Sequence, residues 1–193
     1  MTQVIGGFAA LELHPNILAA VIATGYEEPS AIQAMSIPVI LAGDDMIGQA
    51  QTGTGKTAAF ALPILSRIDP AKREPQALIL APTRELALQV ASAFETYAKQ
   101  MPGVNVIAVY GGAPMGPQLK AIRNGAQIIV ATPGRLVDHM RRDEKVLSTV
   151  RHLVLDEADE MLKLGFMDDL EVIFKGIPAE RQTVLFSATL PHS

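Results

Sequence analysis

A doubly wound, mostly parallel sheet covered by helices on both faces, an α/β fold, is what this 193-residue chain predicts, on three observations. Short β-branched or aliphatic runs alternate with longer segments of helical period. Several of those segments close on a glycine in a C-cap-like position, namely Gly103, Gly125 and Gly176. A glycine-rich turn also joins the first aliphatic run directly to a helical one. With a hydrophobic fraction of 49%, a chain of this length buries enough surface to form a globular domain without metal or disulfide.

The elements follow in order. Pro15 to Thr24 reads as a helix with proline in its first turn and Gly25 as its stop, and Ser30 caps a second helix running to Leu41. These two precede the sheet, so residues 1–42 are expected to stand before a core spanning 43–193. Strands are expected at 45–49, 77–81, 104–109, 127–131, 151–155 and 182–186. Between them Lys56–Ile68, Arg84–Lys99, Pro117–Arg123, Gly134–Arg142 and Asp168–Phe174 read as crossover helices. Right-handed crossovers then bring the ends of all the strands to one edge of the sheet. There is no internal repeat or low-complexity tract.

Composition narrows the chemistry. Cysteine is absent, which excludes a disulfide scaffold, a thiolate zinc site and a thiol nucleophile. The net charge is −4, and residues 151–180 hold eight acids against three bases. Such a lobe repels nucleic acid, so any nucleic-acid contact must come from selected groups elsewhere. No basic segment opens the chain, and no stretch approaches the roughly 18 apolar residues of a membrane span. A cytoplasmic protein without membrane contact is expected. His14, His139, His152 and His192 lack metal-site spacing; His152 opens a buried strand, and the other three are expected at the surface.

The strongest local signal is Ala50-Gln-Thr-Gly53-Thr54-Gly55-Lys56-Thr57, placed between a strand and a helix as a phosphate loop requires. Gly53 and Gly55 let backbone N–H groups turn inward around phosphate oxygens. Lys56 brings a cation to the β- and γ-phosphates, and the Thr57 hydroxyl suits Mg²⁺. Ala50 stands where the strict pattern wants glycine, but the Gly-x-Gly-Lys-Thr centre is intact. Such a loop needs a carboxylate at a neighbouring strand end, and Leu153 to Leu155 followed by Asp156 and Glu157 supplies one. Asp156 suits Mg²⁺, and Glu157 suits polarising a water for in-line attack on the γ-phosphate. Mg²⁺–nucleotide binding with hydrolytic potential is thus expected from the residues themselves.

Together with Phe8 and Gly25-Tyr-Glu-Glu-Pro-Ser-Ala-Ile-Gln33, the stretches Pro82-Thr-Arg-Glu-Leu-Ala87, Gly111-Gly112, Thr132-Pro-Gly-Arg135, Asp156-Glu-Ala-Asp159 and Ser187-Ala-Thr189 resemble the DEAD-box family of ATP-dependent RNA helicases. The match is to the first of that family's two RecA-like domains, runs in family order along nearly the whole chain, and is similar to bacterial, cold-shock-associated members. The resemblance implies a RecA-like P-loop domain with two extra N-terminal helices. It also implies ATP or ADP with Mg²⁺ as ligands, with Gln33 reading the adenine edge and Tyr26 stacking on the ring while Phe8 packs behind. On residue type alone Phe8 reads more readily as core than as part of a site, whereas for Tyr26 core is the lesser of the two readings. The resemblance further assigns Arg84, Gly112, Thr132 and Arg135 to the backbone of one RNA strand without base reading. Asp159, Ser187 and Thr189 are assigned to coupling between the nucleotide site and the interdomain surface.

The family's second RecA-like domain, with its arginine finger, has no counterpart here. The expectation is therefore a monomeric half-motor that binds adenine nucleotide and turns it over little. A generic DNA helicase or translocase and a non-enzymatic ATP-gated RNA clamp stand as alternatives.

Overall fold

The computed structural model describes residues 7–191. A short 3₁₀ turn, Gly7–Leu11, leads into α1 (Pro15–Ala23) and α2 (Ala31–Leu41). The core then alternates β1 (Met46–Gln49), α3 (Lys56–Arg67), β2 (Ala77–Leu80), α4 (Arg84–Ala98), β3 (Val106–Val109), α5 (Met115–Arg123), β4 (Ile128–Ala131), α6 (Pro133–Arg142) and β5 (His152–Leu155). It closes with α7 (Ala158–Lys163), α8 (Met167–Gly176) and β6 (Gln182–Ser187).

The six strands form one sheet in the order β1-β6-β5-β2-β4-β3, and every described pairing is parallel. The expected "mostly parallel" sheet is thus wholly so. From β1 the chain moves across the sheet to β3 at the far edge, then returns through β4 and β5 to β6. Reversing the direction of travel reverses the face that right-handed crossovers cover. The side chains record it. Ala77, Ile79, Val130, Val154 and Val184 pack with α1 to α4 around Phe60, Phe94 and Phe186. Their strand neighbours Leu78, Leu80, Ile129, Leu153 and Leu155 pack on the other face against Leu136, Met161, Leu170 and Ile173 of α6 to α8. The central strands β2, β4 and β5 are buried on both faces, which explains their unbroken aliphatic runs.

Parallel register makes the site. Gln49 pairs with Ser187, Leu155 with Leu185 and with Leu80, and Leu80 and Val109 each with Ala131. The residues that follow β1, β2, β3, β4, β5 and β6 therefore leave the sheet along one rim, where ligands of open α/β sheets bind.

Two sequence expectations need correction. The acidic stretch after β5 is a helix, α7, where no helix was expected. His139, expected at the surface, is fully buried, because it lies on the same face of α6 as Leu136 and Met140. His192 falls outside the described residues.

Candidate functional site

The phosphate loop leaves β1 and turns into α3 with Gly53 and Gly55 both in the left-handed region, at φ +87° and +80°. At Gly55 a Cβ would also crowd the Gln33 amide nitrogen, so a side chain there would displace the Gln33 amide as well as strain the backbone. The loop is held from α2. Ser30 Oγ donates to Thr54 O (2.9 Å), and Gln33 Nε2 donates to Gly55 O (3.1 Å). Gln33 Oε1 in turn accepts from Ser30 N (2.9 Å), completing a capping box with the Ser30 hydroxyl at the start of α2.

Lys56, almost wholly buried, places Nζ 2.8 Å from Asp156 Oδ1 at the end of β5. The loop after β1 and the acidic turn after β5 thus meet across β6, which lies between those strands. Asp156 is fully buried, and its Oδ2 has no partner. Burial pushes its carboxyl above the ordinary carboxylate range, against the pull of the Lys56 ammonium. Glu157 adopts φ +53°, ψ +53°, a left-handed conformation that costs a non-glycine residue about 1 kcal/mol or more. The turn begins α7 and sets Glu157 on the wall of a cleft of about 440 Å³, shared with Tyr26, Gly53, Lys56 and Thr57.

Tyr26 is half exposed at that cleft, with its ring 6.3 Å from buried Phe8. Behind it stands Tyr97 of α4, whose phenol is pushed up by burial and by the neighbouring Tyr26 hydroxyl. Nothing in the sequence reading singled out Tyr97; it sits in the apolar stripe of α4 with Val90 and Phe94, and its polar end reaches the cleft only through the fold.

At the end of β6, Thr189 donates to Asp159 Oδ2 through both its N–H (3.3 Å) and its hydroxyl (3.0 Å). Ser187 Oγ donates to Thr189 O at 2.6 Å. Desolvation alone would raise the Asp159 carboxyl, but the hydrogen bonds it accepts, those from Thr189 foremost, outweigh it, and the net shift is downward.

Further along the rim the Arg84 guanidinium lies over the Tyr110 ring, 4.9 Å from its centre and beside Gly112. Arg135 donates to Ala113 O at 2.7 Å, on the other side of the Gly111-Gly112 turn. Thr132 precedes α6 without capping it through its side chain, and Pro133 has no N–H, so the N-terminal Gly134 and Arg135 amides face outward from an uncapped helix end. Arg84 at the start of α4 and Arg135 in the first turn of α6 thus flank the loop that carries Gly112, and Thr132 stands just before α6 on the same rim.

A model of the DEAD/DEAH box helicase family matches residues 30–193. The chain belongs to that family. This DEAD-box domain is 55% identical over 184 residues to the ATP-dependent RNA helicase DeaD of Mycobacterium tuberculosis (strain ATCC 25618 / H37Rv), covering 95% of this chain and 33% of that protein. It is 56% identical over 186 residues to the protein of the same name from Escherichia coli (strain K12), covering 96% and 30% respectively. Among solved structures, a DEAD box protein from the hyperthermophile Methanococcus jannaschii superposes with a TM-score of 0.91 at 42% identity, over 96% of this chain and 50% of that one. The chain spans about a third of the length of these curated relatives. Among the described residues of the DEAD-box domain no helix is long and apolar enough to cross a membrane.

Proposed function

We propose that this chain is the ATP- and RNA-binding part of an ATP-dependent RNA helicase, which couples hydrolysis to local unwinding or remodelling of RNA duplexes in the cytoplasm. The observation that carries the reading is the buried Lys56–Asp156 contact of 2.8 Å, which sets a carboxylate directly behind the lysine of the cleft that Thr57, Glu157 and Tyr26 also line. The relatives' printed names, both ATP-dependent RNA helicases, favour RNA over a DNA translocase, and Glu157 at the cleft favours hydrolysis over a passive clamp.

The residues divide the work. Backbone N–H groups from Gly53 to Thr57 wrap the phosphates, aided by the positive end of α3. Lys56 exchanges the Asp156 carboxylate for the β- and γ-phosphate oxygens. Mg²⁺ fits the donors left, a buried Asp156 oxygen without partner and the Thr57 hydroxyl, both hard oxygen ligands. Bound there, it supplies neutralisation of charge on the phosphates. Glu157 orients the attacking water and takes up its proton. Gln33 uses one hydrogen of Nε2 and one lone pair of Oε1 within the protein, leaving one of each for adenine N7 and N6. Tyr26 stacks on the ring. Arg84, Arg135, Gly112 and Thr132 hold the sugar–phosphate backbone of one strand without reading its sequence. Thr189 and Ser187 carry a change at the acidic turn, through Asp159, towards a second RecA-like domain.

Titration calorimetry tests the reading. The chain binds ADP in the presence of Mg²⁺, and Lys56→Ala weakens that binding by about 100-fold or more, as loss of charge-assisted phosphate contacts dictates. ATP turnover by the 193-residue chain alone stays negligible with RNA, in keeping with a family whose arginine finger belongs to the second RecA-like domain. Equal ADP affinity in the variant would dismiss the assignment.

A further inference from the structure

The RNA cluster is tied together beneath its surface. Gln118 of α5 is 5% exposed, and its Nε2 donates to Tyr110 O at 3.1 Å. That bond fixes the amide orientation, so Oε1 is the acceptor facing Arg135 (3.5 Å) and His139 Nε2 (3.2 Å). His139 is fully buried and its Nδ1 has no partner. A proton on Nδ1 would be a buried donor without an acceptor, so the proton sits on Nε2 and the ring is neutral. Burial first, then the Arg135 and Arg142 charges, lower its pKa in the same sense, with Asp138 opposing.

Gln118 thus stands between the two halves of the cluster. It grips Tyr110, whose ring carries the Arg84 guanidinium, and it touches Arg135, which itself grips Ala113. Tyr110 and Ala113 are the residues flanking Gly111-Gly112. Two carbonyls of one glycine turn are therefore held by a single buried network that includes one of the two arginines directly and supports the other.

We propose that Gln118 is a positioning residue for RNA binding, fixing the Gly111-Gly112 turn, Arg84 and Arg135 in the relative placement that one strand's backbone meets. This rests on the assignment of Arg135 to RNA made above. Gln118 does not touch RNA; it removes the ordering that the turn and the arginines would otherwise undergo on binding. Without it the Tyr110 carbonyl loses its donor and Arg135 loses one acceptor, and the two ends of the turn move independently.

The test is a double-mutant cycle read by fluorescence anisotropy with a labelled single-stranded oligoribonucleotide, at several salt concentrations. The proteins are the chain itself, Arg135→Ala, Gln118→Met and the double variant. Arg135→Ala is expected to weaken binding by about tenfold and to flatten the salt dependence by about one phosphate contact. Gln118→Met is expected to weaken binding by about three- to tenfold, to flatten the salt dependence in the same way, and to add less than about twofold to Arg135→Ala. ADP affinity stays as in the parent chain. The same factor for Gln118→Met with and without Arg135, or no factor at all, overturns the proposal while leaving the RNA assignment standing. Parent-like RNA binding by Arg135→Ala overturns both. Should Gln118→Met fail to fold, Gln118→Glu keeps the acceptor for Arg135 and His139 but withdraws the donor from Tyr110, and the same coupling to Arg135 is expected of it.

Discussion

Lys56 and Asp156 have a structural as well as a chemical consequence at the scale of single residues. An ammonium and a carboxylate, both buried, hold each other in ligand-free protein, and removal of one leaves the other charged and without compensation. Lys56→Ala is therefore expected to lower the free energy of unfolding at neutral pH by about 3 kcal/mol, and Lys56→Ala with Asp156→Asn to recover most of it. The sign with pH follows from the upward shift of Asp156, which grows once Lys56 is gone. The loss is full above the raised value and relieved as acid protonates the carboxyl. Urea unfolding at neutral and mildly acidic pH reads both effects. The sequence alone indicated that these two residues belong to one site, because a phosphate loop and a strand-end carboxylate are both local patterns. It gave no sign that they contact each other, since pairing across an intervening β6 depends on strand order. Gln118 and His139 were illegible for a similar reason: an amide and an imidazole acquire meaning only from the carbonyls and guanidinium that α5 and α6 bring to them. For His139 a signal did exist, in its i+3 spacing from Leu136.

At the scale of elements, α2 does more than cover the sheet. Its capping box was half legible, in that Ser30 marked a helix start, whereas the onward bonds from Ser30 and Gln33 to Thr54 and Gly55 were not. The start of α2 is thereby a brace on the phosphate loop. Ser30→Ala is expected to cost about 1 kcal/mol as a lost N-cap. Because it also frees the Thr54 carbonyl, it should change ADP affinity, which an ordinary cap deletion would leave alone; thermal unfolding and ADP titration on one variant separate the two. The miss at α7 has a local cause. A six-residue helix that opens on Asp159 and Glu160 after a left-handed Glu157 reads as an acidic turn, and only the burial of Ala158 and Met161 against the sheet makes it a helix.

On the scale of the whole molecule, the order of aliphatic runs and helical segments was enough for the layers and the common rim, because a parallel sheet leaves little choice of connection. Strand order was beyond reach, as nothing local to β6 says that it inserts between β1 and β5. Global stability has its own pH signature. His139 and His152 are both buried and both shifted below 6.5, in each case by burial foremost. Between those lowered values and 6.5 the unfolded chain binds more protons than the folded one, so stability rises with pH through that window and levels off above it. The free energy of unfolding measured in urea should therefore fall from neutral to mildly acidic pH, by at most about 1.4 kcal/mol per pH unit for each histidine. His152→Gln should show a shallower fall, and since Asp156 drifts in the opposite sense, the difference between the two proteins isolates the imidazole. The place of β6 has one more result. The strand that ends at Ser187 has the glycine-rich loop after β1 on one flank and the carboxylates after β5 on the other. A small fluorophore attached at Leu190 would sit downstream of both, making that strand end a gauge of occupancy that leaves every liganding group intact.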